Sequence, residues 1–166
     1  VTEKGSLDLT AIPASLVEEY TREEGSWQTS NPALNELALR LRGNETNVLT
    51  IIKNFVDWIR IKENISYPTV HHENPYYPSE TYARGEGDCD DQAILLITLS
   101  RIVGIPSYLQ VGCIYLPDRF DNLTFWNGHV SMIQQRIGWH GWAVVYIPPW
   151  GWLPVDLTYV RHNPTD

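Results

Sequence analysis

The chain has little sulfur and little basic charge. Cysteine occurs only at Cys89 and Cys113, and methionine once. Two cysteines cannot build the dense disulfide frame of a small secreted domain. No Cys-x-x-Cys pair offers the spacing of a structural zinc site, and no His-Glu-x-x-His occurs. Lys and Arg number 12 against 20 Asp and Glu, a net charge of −8. That balance argues against nucleic acid, which calls for a basic patch, and against an anionic lipid surface. Solubility is the plain reading of the charge. No apolar run approaches the roughly 20 residues of a membrane-spanning helix. No signal-peptide pattern is visible in the chain, which begins at Val1.

Apolar residues make up 43% of the 166 positions, enough for one core of ordinary domain size. A single domain over residues 1–166 is expected. It would have a peripheral N-terminal segment over 1–30, helices and a loop over 31–84, and a catalytic core over 85–159. Seven Trp and nine Tyr can pack that core and also line a groove. Asn-x-Ser/Thr sequons at Asn44, Asn64 and Asn122 lean towards an extracytoplasmic location.

The N-terminal part predicts a short helix over residues 12–22. Asn31-Pro32 then opens a clearer one, since Asn caps and Pro fits the first helical turn. Leu34, Leu37 and Leu41 share its face, and Gly43 ends it. Thr46 is the expected cap of the next helix, in which Val48, Ile51, Ile52, Phe55 and Ile59 follow helical spacing to about Lys62. Residues 65–84, rich in Pro and Tyr, read as a loop with a short extended piece at 65–67.

Asp88 is a fitting N-cap for a helix from Cys89 to about Val103. That helix has almost no polar face, so it belongs in the interior. Residues 106–116 read as a strand with Leu109, Val111, Cys113 and Tyr115 on one face. A loop is expected over 117–127, then strands over 129–134, 139–147 and 152–159, the last two joined by a turn at 148–151. Helices first and adjacent strands after make an α+β pattern, an antiparallel sheet packed on a central helix.

Cys89 is the sharpest chemical feature. A thiol at a helix N-terminus sits at the positive end of the macrodipole, and the unused N–H groups of the first turn can hold an oxyanion. Asp88, Asp90 and Asp91 oppose this. A unit charge at 4 Å is worth about 4 kcal/mol in a surface-like dielectric, more than a helix end supplies. A cationic partner must therefore outweigh them. Taken alone, Cys89 reads equally well as a small buried side chain that starts a helix. His140 and Asp156 supply the missing partners. A hairpin turning at 148–151 sets His140 opposite residues 156–159, within direct or diagonal reach of Asp156. The acid can then orient the imidazole and leave its other nitrogen for the thiol. His129 is a rival base without a carboxylate at hairpin distance. His71 and His72 fall in the loop, and His162 near the terminus.

Three blocks carry a family resemblance. Gly85-Glu86-Gly87-Asp88-Cys89-Asp90-Asp91-Gln92-Ala93, running on to Gly104-Ile105-Pro106, resembles the nucleophile helix of the transglutaminase-like superfamily and the lead-in to its first core strand. His140-Gly141-Trp142 is similar to that family's His-x-Trp strand. Gly151-Trp152-Leu153-Pro154-Val155-Asp156-Leu157-Thr158 is similar to its Gly-Trp-x-x-x-Asp-x-Thr ending, with Leu157 where many members have Pro. The resemblance implies a papain-like fold with Cys89 as nucleophile, His140 as general base and acid, and Asp156 as the orienting carboxylate. It also implies an oxyanion donor upstream of the nucleophile, commonly Trp or Gln; Tyr67 and Tyr82 are the nearest candidates here. The Asp-Cys-Asp-Asp run resembles bacterial transglutaminase-like cysteine proteinases, some of which bind calcium beside the nucleophile. That raises Asp88 and Asp90 as calcium ligands, against their reading as carboxylates favoured by the helix dipole. No other cofactor is implied.

The leading expectation is a cysteine peptidase or amidase acting on a protein or peptide. A protein-glutamine transglutaminase runs the same first half-reaction with an amine as acceptor. A non-catalytic binding module of the same fold and a zinc enzyme using His71, His72 or His129 are the further alternatives.

Overall fold

In a computed structural model of the chain, residues 5–62, 64–68 and 74–158 are described. A turn of 3-10 helix at Leu9–Ala11 precedes α1 (Ala14–Tyr20), α2 (Pro32–Arg42) and α3 (Val48–Val56), which runs on as a π-helical turn, Asp57–Ile61. Then come α4 (Pro78–Arg84), α5 (Cys89–Ile102), and the strands β1 (Ser107–Phe125), β2 (Val130–Ile147) and β3 (Gly151–Val155). The strands form one antiparallel sheet in the order β1-β2-β3, consistent with the expected helices-then-sheet pattern.

Local chemistry explains most boundaries. The Asn31 side chain accepts hydrogen bonds from the Ala33 and Leu34 amides at 3.1 and 3.2 Å, and Gly43 ends α2 with φ 57°. Leu34, Leu37 and Ala38 are buried along α2, as are Val48, Ile51, Ile52, Phe55 and Ile59 along the next helix and its π turn. The cap of α3 is Asn47 rather than the expected Thr46. Asn47 Oδ1 accepts from the Thr50 amide at 3.1 Å. Thr46 is engaged elsewhere: its side chain hydrogen-bonds Asp8, and its carbonyl accepts from the Leu9 amide. Together with Thr10, that bond holds the Asp8 carboxyl down at about 2.

The segment expected to be loop over 65–84 contains α4. Pro78 occupies its first turn, the Glu80 carboxylate accepts from the Tyr77 amide at 3.0 Å, and Gly85 closes it with φ 69°. The extended piece does form, as a single parallel bridge between Ser66 and Glu86. His71, His72 and Tyr159 lie outside the described residues, as does His162.

α5 is the axis of the molecule. Residues 91–101 are all buried, and it packs on α2, α4 and the sheet. Leu95, Leu96, Ile97 and Leu99 sit in the main apolar cluster with Ala143, Val145 and Ile147 of β2. Its far end is fastened by Arg101. That guanidinium donates to the Ser107 carbonyl at 3.0 and 2.7 Å and to the Arg22 carbonyl at 3.0 Å, and it lies over the Trp27 ring. Arg22 and Trp27 are thereby tied to the helix and to the start of β1.

The largest departure from expectation is in the sheet. Residues 117–127 are not a loop, and 129–134 and 139–147 are not separate strands. β1 and β2 form one long hairpin from the Ser107–Val145 pair to the Phe125–Val130 pair. The register slips between Tyr115 and Phe120, where residues 116–119 face only Arg136, at φ 59°. Pro117 falls inside this bulge, where no ladder donor is required of it. Leu109, Val111, Cys113 and Tyr115 share a face as alternation requires, with Val111, Cys113 and Tyr115 turned to solvent.

Replacing Asn47 by Ala should cost about 1 kcal/mol of unfolding free energy in a denaturant titration. Leu95→Ala, which opens a hole beside the buried helix, should cost about 2–5 kcal/mol. Equal midpoints for the two variants would contradict this reading of the core.

Candidate active site

The turn before α5 is held from several sides. Gln92 Nε2 donates to the Gly87 carbonyl at 2.8 Å. The Asp91 carboxylate, fully buried, accepts from the Asp88 amide at 3.0 Å and from the Tyr76 amide at 2.7 Å. Gly87 must be glycine, because a Cβ there would lie 2.6 Å from the Asp91 Cβ. The Ser66 amide donates to the Gly85 carbonyl, and the Gly87 amide donates to the Ser66 carbonyl. Asp88 takes the N-cap position with extended backbone, and Cys89 begins the helix. The helix start is thus rigid before any chemistry is asked of it.

The first turn of α5 lies directly on β2 at Gly141. A Cβ at Gly141 would stand 3.1 Å from the Asp90 Cβ and 3.4 Å from its Cα. This approach lets the Gly141 backbone N–H donate to the Cys89 sulfur. The thiol is half-buried, and its pKa is raised, first by burial and then by the Asp90 and Asp88 carboxylates. The Gly141 amide acts in the opposite direction. Raising by the acids is the opposition that the sequence foretells, with burial as the larger cause.

His140 is only 6% exposed, and its Nε2 lies 2.6 Å from Asp156 Oδ2. A carboxylate accepts, so this contact selects, for a neutral ring, the tautomer with the proton on Nε2 and the lone pair on Nδ1. Asp156 reaches the ring diagonally, since the last β2–β3 pair is Ala143 with Val155. Its other oxygen accepts from the Thr158 amide at 3.0 Å. The Trp142 ring lies 5.7 Å from the imidazole, centre to centre, and covers Gly112 on β1, where a Cβ would meet it at 2.9 Å.

Cys89 and His140 line one cavity of about 520 Å³, with Asp156 hydrogen-bonded to the imidazole. Tyr67 lines it too, and its phenol is pushed up to about 12 by burial and by the neighbouring Cys89, Asp88 and Asp90. Of the two tyrosines considered as upstream donors, Tyr67 is therefore beside the sulfur. Tyr82 instead packs on Trp58 against the core. The rival base His129 sits exposed in the turn at the hairpin tip and does not line this cavity. Sequence reasoning missed the Gly141 amide and the hairpin wall of Ile114, Leu123, Phe125 and Met132. Glycine between His140 and Trp142 was the one available signal for the former.

One oxygen each of Asp88 and Asp90 lies within 4.8 Å of the other and of the Cys89 sulfur. By themselves these carboxylates fall short of the six to eight oxygens that calcium takes, and the third donor is a thiol.

The family follows from this fold and from direct comparison. The model of the transglutaminase-like superfamily matches residues 35–157, and the chain belongs to that superfamily. No match emerges among curated proteins. Among solved structures, a candidate cysteine protease from Cytophaga hutchinsonii superposes with a TM-score of 0.63 at 20% identity, covering 95% of this chain and 46% of that one. The periplasmic domain of TgpA from Pseudomonas aeruginosa gives 0.60 at 19% identity, covering 89% and 48%. The same domain bound to ethylmercury gives 0.61 at 18%, covering 89% and 50%. The chain thus spans about half the length of these solved chains. Among the described residues, no helix is long and apolar enough to cross a membrane.

Removing the stronger of the two opposing charges, Asp90, should make the thiol more acidic. In Asp90→Asn the pH midpoint of iodoacetamide labelling at Cys89 should fall below that of the parent. A midpoint that rises or stays put would mean that the carboxylate is not what the sulfur feels.

Proposed function

We propose that the protein is a thiol-dependent amide hydrolase, a cysteine peptidase or amidase acting on protein or peptide substrates. The observation that carries this reading is the His140–Asp156 hydrogen bond, with the imidazole and the Cys89 thiol in a common cavity. Cys89 is the nucleophile, His140 the general base and acid, and Asp156 the group that fixes the ring.

Because burial and two carboxylates push the thiol up, the sulfur needs its proton removed as it attacks. Nδ1 of His140 takes that proton. The S–C bond forms, and the carbonyl oxygen becomes an oxyanion. Backbone amides of the first turn of α5, and the Tyr67 hydroxyl, are the donors on hand for it. The imidazolium, stabilised by Asp156, gives its proton to the leaving amine as the C–N bond breaks. Water then attacks the thioester carbonyl and passes a proton to His140. The C–S bond breaks and the proton returns to sulfur, restoring the enzyme. An amine in place of water would make the same site a transglutaminase. The resemblance to cysteine-protease structures favours water. The periplasmic setting of the TgpA domain and the three sequons favour an extracytoplasmic location.

Cys89→Ala should abolish turnover of peptide amides. Asp156→Asn should lower it by about 10²–10⁴-fold while leaving the fold intact. His140→Ala should slow iodoacetamide labelling at Cys89, because no base is left beside the sulfur to take its proton. Identical labelling profiles with and without the imidazole would remove the basis for the mechanism. Mass spectrometry of a Gln peptide with a primary amine separates hydrolysis, a gain of one oxygen for one NH, from amine transfer.

A further inference from the structure

The cavity has one wall that the chemistry above does not use. Beyond His140 the β1–β2 hairpin continues as an arm, and Ile114, Leu123, Phe125 and Met132 on it line the same cavity as Cys89. The slip in register brings Leu123 and Phe125 to the side of Ile114. Ile114 pairs with Gly138, and Leu123 pairs with Met132. Four residues on β1 face one on β2, an excess of three, so Leu123 and Phe125 fall on the side of Ile114 rather than opposite it. The inward residues are half-buried, whereas Phe120 and Ile133 on the outer face are 64% and 66% exposed.

The charges along this wall are arranged unevenly. Arg119 is paired with Asp121, and Gln134 is buried with its amide on the Met132 sulfur. The hairpin side is therefore close to neutral, while Asp88 and Asp90 stand at the sulfur end. An apolar wall with sparse polar groups is the usual setting for a side-chain subsite, and fixed carboxylates disfavour an acidic neighbour.

We propose that the inner face of the hairpin arm is a specificity subsite for a large apolar or aromatic side chain flanking the amide attacked by Cys89. Acidic side chains near that amide are rejected by Asp88 and Asp90. This rests on the catalytic reading for its location, though the binding it describes does not require turnover.

The test uses the Cys89→Ala chain and blocked hexapeptides with a central Ala-Ala, in which Phe, Ala or Glu is scanned through every other position. Binding is followed by calorimetry or amide chemical shifts. At one position Phe should bind at least ten-fold tighter than Ala, and Glu should bind weakest. Leu123→Thr with Met132→Thr, both strand-compatible, should erase most of the Phe advantage and leave Ala peptides within about three-fold. Asp88→Asn with Asp90→Asn should restore Glu peptides towards the Ala level. Absence of binding, equal affinity for the three residues, or a Phe preference that survives the hairpin substitutions would overturn the proposal. Failure of the catalytic reading would be seen separately, as intact Cys89 chain that binds peptides but neither cleaves them nor labels in an imidazole-dependent way.

Discussion

The contact between the first turn of α5 and the backbone of β2 at Gly141 governs the geometry of this molecule. A buried helix cannot slide freely, because its flanks are interlocked with the core on one side and with the sheet on the other. Once Asp90 rests on Gly141, the sulfur of the preceding residue is placed against the Gly141 amide, and the neighbouring imidazole is brought to the same cavity. The unusually dense bonding of the turn before Cys89, through Asp91, Gln92 and Ser66, holds the helix start in register with that contact. Small volumes at Gly87 and Gly141 are what permit the approach from both sides.

Electrostatics at this spot work against easy ionisation. Burial and adjacent carboxylates keep the proton on sulfur, while the macrodipole and the Gly141 amide favour its loss. The imidazole decides between these tendencies. Its orientation is fixed by a short hydrogen bond to an acid just past the end of β3, with an indole beside the ring. A carboxylate that only accepts also selects which ring nitrogen is basic, so Asp156 determines direction as well as position.

Much of this was legible in the residues. The Asn31-Pro32 start, the Gly43 stop, the largely apolar character of α5 and the diagonal reach of Asp156 to His140 are local signals, and local geometry honours them. The errors arose where local and tertiary signals diverge. Thr46 looked like a cap, but its hydroxyl was claimed by Asp8, and Asn47 took the role. α4 carried its own punctuation, Pro78 before and Gly85 after, yet seven residues among Tyr and Pro give no apolar period to read. Pro117 and its polar neighbours suggested a loop, while the pairing passes around them as a bulge. The cavity wall was invisible for the same reason, because alternation counted through residues 116–119 assigns Leu123 and Phe125 to the wrong side.

That bulge also divides the arm into two parts with different anchors. The inner part of the hairpin, from the Ser107–Val145 pair to the Tyr115–Ile137 pair, starts beside α5 and the core. The outer part, from the Phe120–Gln135 pair to the tip, inherits its facing from the four residues that stand against Arg136. What Leu123 and Phe125 present to the cavity is therefore decided by an irregular stretch of backbone and not by the apolar cluster behind the catalytic helix.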